Sequence, residues 1–97
     1  MIKDINTEEE FLNCLNEPSY LVLFYSSTCI PSNMMNVLKD KNNINIAIID
    51  INKLPDLFNQ YNIKYLPTLM LFKYGSITNK LIGLQSKESI DKLINSI

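Results

Sequence analysis

The stretch Tyr20-Leu21-Val22-Leu23-Phe24-Tyr25 is apolar throughout, and the polar turn Ser27-Thr28-Cys29-Ile30-Pro31-Ser32 follows it almost at once. Beyond the turn, Met34, Met35, Val37 and Leu38 recur at helical spacing. β-formers, then turn residues, then a period near 3.6 predict a strand, a tight turn and a helix. A strand this apolar is covered on both faces, which requires a sheet with helices above and below it. The pattern sets Cys29 at or just before the helix N-terminus, with Pro31 in the first turn, where its missing N–H costs nothing. Helix N-termini carry unpaired N–H groups and the positive end of the dipole, so they favour anions. Thiolate is the nucleophilic form of cysteine. A reactive group therefore stands where backbone would activate it.

The flanking chain supplies the rest of such a sheet. Met1 to Ile5 alternates apolar and polar as a short half-buried strand does. Thr7-Glu8-Glu9-Glu10 is a capping-box sequence opening a helix with Phe11, Leu12, Cys14 and Leu15 on one side, ending before Pro18. The helix after the cysteine turn runs to about Lys39, and Asp40-Lys41-Asn42-Asn43 is a loop. Ile44 to Ile51 reads as a second buried strand. A third helix starts around Leu54-Pro55-Asp56, turns Leu57, Phe58 and Tyr61 inward, and stops at Asn62. Leu69 to Tyr74 and Ile77 to Ile82 form a hairpin about Gly75-Ser76. A last helix spans about Ser86 to Ser96, with Ile90, Leu93, Ile94 and Ile97 on its core face. The order βαβαβα then ββα implies an α/β fold with a mixed central sheet: crossovers give parallel strands first, and an antiparallel hairpin closes it.

At 97 residues the chain is long enough for one domain, 1–97, and too short for two. The longest apolar runs are too short to cross a membrane, and the N-terminus lacks a signal-peptide layout, so a cytoplasmic location is expected. A net charge of −1 with scattered lysines excludes an obvious nucleic-acid face. The absence of histidine removes Ser-His and Cys-His catalysis, and with two cysteines it leaves no zinc site. Cys14 falls at the apolar spacing of Phe11 and Leu15, which makes it a buried structural thiol.

Four stretches give the chain a family likeness: Phe24 to Ser32 as a C-x-P-S turn, Asp50-Ile51-Asn52 closing a strand, Leu66-Pro67-Thr68, and Phe72-Lys73-Tyr74-Gly75. With Gly83 they resemble the thioredoxin family over essentially the whole chain. The resemblance implies a thioredoxin fold, β1α1β2α2β3α3β4β5α4, acting as a monomer without metal or other cofactor. It implies a cis Pro67 packed on the sulfur of Cys29, with Pro31 and Ser32 completing the reacting turn. It also implies a peptide groove lined by Thr28, Ile30, Ile51, Tyr65, Leu66, Pro67, Ile82 and Gly83, where Leu66 would pair with a bound strand. Protein disulfides and a thioredoxin-reductase-like donor are the implied partners.

Three departures bear on function. Ser32 replaces the family's second, resolving cysteine; Leu23 replaces a buried acid that serves that cysteine; and Thr28 replaces a tryptophan. Two origins of Ser32 fit the sequence, a natural monothiol form or a trapping mutant of a C-x-P-C dithiol reductase. Two functions likewise stand: thiol–disulfide exchange through Cys29, or a redox-inactive module that binds peptides or a protein partner.

Overall fold

The computed structural model describes residues 2–97, and the Met1 position of the first predicted strand lies outside them. In chain order the elements are β1 (Ile2–Ile5), α1 (Glu8–Cys14), β2 (Ser19–Tyr25), α2 (Ser32–Lys39), β3 (Ile46–Asp50), α3 (Pro55–Gln60), β4 (Thr68–Lys73), β5 (Ser76–Ile82) and α4 (Lys87–Ile94). The strands form one sheet in the order β1-β3-β2-β4-β5. β1 and β2 run parallel to β3, β4 runs antiparallel to β2, and β5 pairs antiparallel with β4. This is the mixed, helix-flanked topology expected from the sequence.

Alternation along the inner strands divides the core in two. Tyr20, Val22, Phe24, Ala47, Ile49, Met70 and Phe72 face α1 and α3, where they meet Phe11, Leu57 and Phe58. Leu21, Leu23, Tyr25, Ile46, Ile48, Leu69 and Leu71 face α2 and α4, where they meet Met34, Leu38, Ile90 and Leu93. On the first face Phe24 meets Phe58 edge-on at 5.2 Å, and Phe11 meets Phe72 at 5.9 Å. Such geometry matches the ring quadrupoles and adds to plain area burial.

Local chemistry fixes the ends. The Thr7 hydroxyl accepts the Glu10 N–H at 3.1 Å, and the Glu10 carboxylate reaches back to the Asn6 N–H at 3.3 Å. That is a capping box displaced by one residue on its return arm. Leu12 is exposed, because Phe11 and Cys14 set the buried stripe and Leu12 lies about 100° off it. Ile97 is exposed too, since α4 ends at Ile94 with Asn95 as its cap. The hairpin turn is one residue earlier than predicted: Lys73 pairs with Ser76, leaving Tyr74 and Gly75 at φ +51° and +81°. Positive φ at both central residues is the turn whose twist suits a two-residue hairpin.

Candidate active site

β2 ends at Tyr25, and the chain turns back on itself through Ser26-Ser27-Thr28-Cys29. The Cys29 N–H donates to the Ser26 carbonyl at 3.0 Å, and Ser26 and Cys29 form an isolated antiparallel bridge. The Thr28 N–H donates to Ser26 Oγ at 3.2 Å, with the two hydroxyls 2.7 Å apart. Cys29 itself is exposed and carries no disulfide.

The helix beyond the turn begins later than the sequence suggests. Its first residue is Ser32, and Pro31 is its N-cap rather than a first-turn residue. The Ser32 N–H is taken by the Ile30 carbonyl at 2.9 Å. Pro31, at φ −79° and ψ +73°, is the centre of an inverse γ-turn closed by that bond, so helical geometry starts only after it. Cys29 thus lies just before the helix, within the expected placement, and it is Pro31 that falls outside the first turn.

A groove of about 370 Å³ lies over the sulfur-bearing turn. Cys29, Ile30, Pro31, Ser32 and Asn33 form one wall, and Leu66, Pro67 and Leu84 the other. The Leu66–Pro67 peptide bond is cis. Gly83, at φ +85°, donates its N–H to the Pro67 carbonyl at 2.8 Å, which ties the end of β5 to the proline loop. The Thr68 hydroxyl donates to the Tyr65 carbonyl at 2.6 Å from within the same loop. Among the described residues no charged side chain lines this groove.

Of the residues singled out in the sequence, the fold brings together Cys29, Ile30, Pro31, Ser32, Leu66 and Pro67. It does not bring the others onto this groove. Thr28 is bound up in the turn, and Ile51 is half-buried against the α1/α3 core. Tyr65 and Ile82 line a neighbouring cavity, and Gly83 serves through its backbone. Two lining residues were missed. Asn33 follows the serine directly, and Leu84, 75% exposed, is an isolated apolar residue after Gly83. That lone leucine in a polar segment was the available signal.

A third feature joins two of the quoted stretches, Asp50-Ile51-Asn52 and the cysteine turn, in a contact that the sequence does not express. Asp50 is 4% exposed at the end of β3, and its carboxylate accepts the Ser27 N–H at 3.2 Å and the Asn52 N–H at 3.0 Å. Asn52 Nδ2 donates to Ser27 Oγ at 2.8 Å, completing a cluster that pins the cysteine turn to β3. Burial pushes the Asp50 carboxyl up, but the Asn52 amide, the Ser27 hydroxyl and amide, and the Lys53 charge outweigh it, so its pKa lies below the ordinary value. A carboxyl depressed in the folded state stabilises the fold fully above its unfolded pKa of about 3.9, and loses that contribution as pH falls through the folded value. Asp50→Asn is expected to cost about 1–3 kcal/mol at neutral pH and to flatten the acid limb of stability below about pH 4. Urea unfolding across that range measures both; an unchanged acid limb would remove Asp50 from it.

Among the described residues no cluster of three or more histidine, cysteine or acidic side chains could hold a metal ion, and no helix is long and apolar enough to cross a membrane.

Residues 3–96 match the family model described as Thioredoxin. The chain is 30% identical to the thioredoxin of Rickettsia bellii over 101 residues, covering 98% of this chain and 94% of that protein. It is 29% identical to the thioredoxin of Chlamydia trachomatis over 94 residues, covering 92% of each. Among solved structures, a mutant thioredoxin from Halobacterium salinarum superposes with a TM-score of 0.86 at 26% identity, over 98% of this chain and 88% of that one.

Proposed function

Because the chain belongs to the thioredoxin family, we propose that it exchanges thiols with protein disulfides through Cys29 and relies on an external thiol to release the product. The family's general class is thiol–disulfide oxidoreductase, and the monothiol course is what Ser32 adds to it in this chain. The observation that carries it is an exposed, unpaired Cys29 on an uncharged groove opposite Pro67, with a hydroxyl at Ser32.

In the first step the Cys29 thiolate attacks one sulfur of a substrate disulfide. The substrate S–S bond breaks, a Cys29–substrate disulfide forms, and the second substrate sulfur leaves as thiolate. A serine hydroxyl is not an electron-pair donor of comparable strength at neutral pH, so Ser32 does not continue the exchange. Cys14 is buried within the α1/α3 core cluster and does not substitute for the missing thiol. Release therefore falls to a second substrate thiol, to glutathione, or to a protein donor such as a thioredoxin-reductase-like partner. That thiol attacks the mixed disulfide, frees the first substrate sulfur, and exchange with a further thiol regenerates Cys29.

The test uses the reduced protein and a peptide carrying one neutral disulfide. A mass increase equal to one peptide half on the Cys29 fragment, reversed by glutathione, is the expected result. Binding of the peptide without a covalent adduct would instead favour the redox-inactive module.

A further inference from the structure

Resting on that exchange reading, we propose that the cavity beside the cysteine groove is a second substrate subsite, which takes an acidic residue of the polypeptide whose disulfide lies at Cys29. The cavity measures about 390 Å³. Its floor includes Met70, fully buried on the α1/α3 face of β4, and its rim carries Lys64, Tyr65, Lys80 and Ile82. Pairing of β4 with β5 sets Lys80 opposite Met70 and Ile82 opposite Thr68, so both side chains border the same opening.

Charge distinguishes this cavity from its neighbour. The cysteine groove has no charged lining residue, whereas this one has two lysines and no acid. Among the described residues the ion pairs use Lys41, Lys53 and Lys87, and neither Lys64 nor Lys80 has a carboxylate within 4.0 Å. Two cations without an ion-pair partner, over a floor of Met70 and Thr68, suit a side chain with a short apolar stem and a carboxylate end. With a net charge of −1 on the chain and two lysines at the opening, the site fits a single acidic residue better than a polyanion.

Continuity with the groove fixes where that residue falls. Lys64-Tyr65-Leu66-Pro67 is one run of chain, with Lys64 and Tyr65 on the cavity and Leu66 and Pro67 on the groove. The Gly83–Pro67 hydrogen bond holds the other wall to the same loop. That run bends through Tyr65, Leu66 and Pro67, so cavity and groove adjoin and the acidic residue falls a few positions from the bound cysteine. Tyr65 and Ile82, 66% and 54% exposed, give that connecting segment an apolar surface to cross.

The experiment measures second-order rates of mixed-disulfide formation by the reduced protein with three peptide disulfides. They differ only in carrying glutamate, glutamine or lysine within two to four residues of the cysteine, on both sides. Bis(2-hydroxyethyl) disulfide serves as a neutral small substrate. Each ratio is read against the same ratio in the Lys64→Gln/Lys80→Gln double variant, which cancels the charge effect on the disulfide itself. The glutamate-over-glutamine ratio is expected to be roughly three- to tenfold higher in the unaltered protein, and to fall toward one in concentrated salt. The small disulfide is expected to react equally with both proteins. Identical ratios in the two proteins would overturn the subsite while leaving exchange at Cys29 intact. No reaction with any disulfide, the small one included, would overturn the exchange reading and the subsite with it.

Discussion

In an insulin-reduction assay driven by a small external thiol, Ser32→Cys is expected to raise turnover sharply over the unaltered chain, with Cys29→Ala silent in either background. The present chain forms the Cys29–substrate disulfide but must wait for a thiol from solution to break it. A thiol introduced at position 32 stands on the same wall of the same groove as Cys29. It attacks the Cys29 sulfur, frees the substrate sulfur, and leaves an internal disulfide that the external reductant then opens. Preorganised intramolecular groups reach effective concentrations far above those of dissolved thiols. Even a modest value of about 0.1 M, against about 1 mM of external thiol, gives a gain on the order of 100-fold in the release step. A rate unchanged by Ser32→Cys would mean that release is not the limiting step, and the monothiol reading would lose its main consequence. Trapped adduct gives a second readout: it should accumulate in the unaltered chain and stay scarce in the variant.

What the sequence makes legible follows from how local each feature is. β2 and β4 announce themselves because both of their faces are buried, and continuous apolar runs bounded by turn residues read as interior strands. The Cys29 turn and Leu66-Pro67-Thr68 are short contiguous motifs, so their meeting across the groove could be expected from the family pattern. Helix starts are less legible. α2 begins at Ser32 because Pro31 is held in a tight turn at ψ +73°, a backbone choice that residue spacing does not express. Hairpin position slipped by one residue because Tyr74, rather than a second small residue, takes up positive φ. The clamp from Asp50 to Ser27 was invisible for another reason. The two residues are brought together by the parallel register that sets Tyr25 beside Asp50, a pairing that neither stretch encodes by itself. Lys80 reaches its cavity in the same way, through the β4–β5 register opposite Met70, and Lys64 meets it there from the loop ahead of β4.

Leu23→Asp is the substitution expected to cost most in stability, and its pH dependence bears on why the chain carries leucine there. Leu23 is fully buried in the α2/α4 face, between Ile48 on β3 and Leu69 on β4. Its same-face neighbours along β2 are Leu21 and Tyr25, and both belong to the same apolar cluster. A carboxyl introduced there loses the burial of the leucine and gains no hydrogen-bond donor, a combined cost of about 3–5 kcal/mol at neutral pH. For a chain of 97 residues that corresponds to a fall in Tm of roughly 12–40 °C. Desolvation raises the pKa of the introduced carboxyl above its unfolded value, and Asp50 farther along the same side of the sheet adds to the rise. A raised native pKa means that the folded state holds its proton longer than the unfolded state. The penalty is therefore smallest near pH 4 and grows with pH, by up to about 1.4 kcal/mol per unit, until the native carboxyl ionises. Thermal unfolding at pH 4.5 and pH 8 checks the sign; a larger loss at the acid end would contradict it. The same measurement in the Ser32→Cys background separates two roles. There the carboxyl has a second thiol whose proton it can take, so reductase activity is expected to rise while Tm still falls. With serine at position 32 the carboxyl has no such proton to move, and stability alone favours leucine.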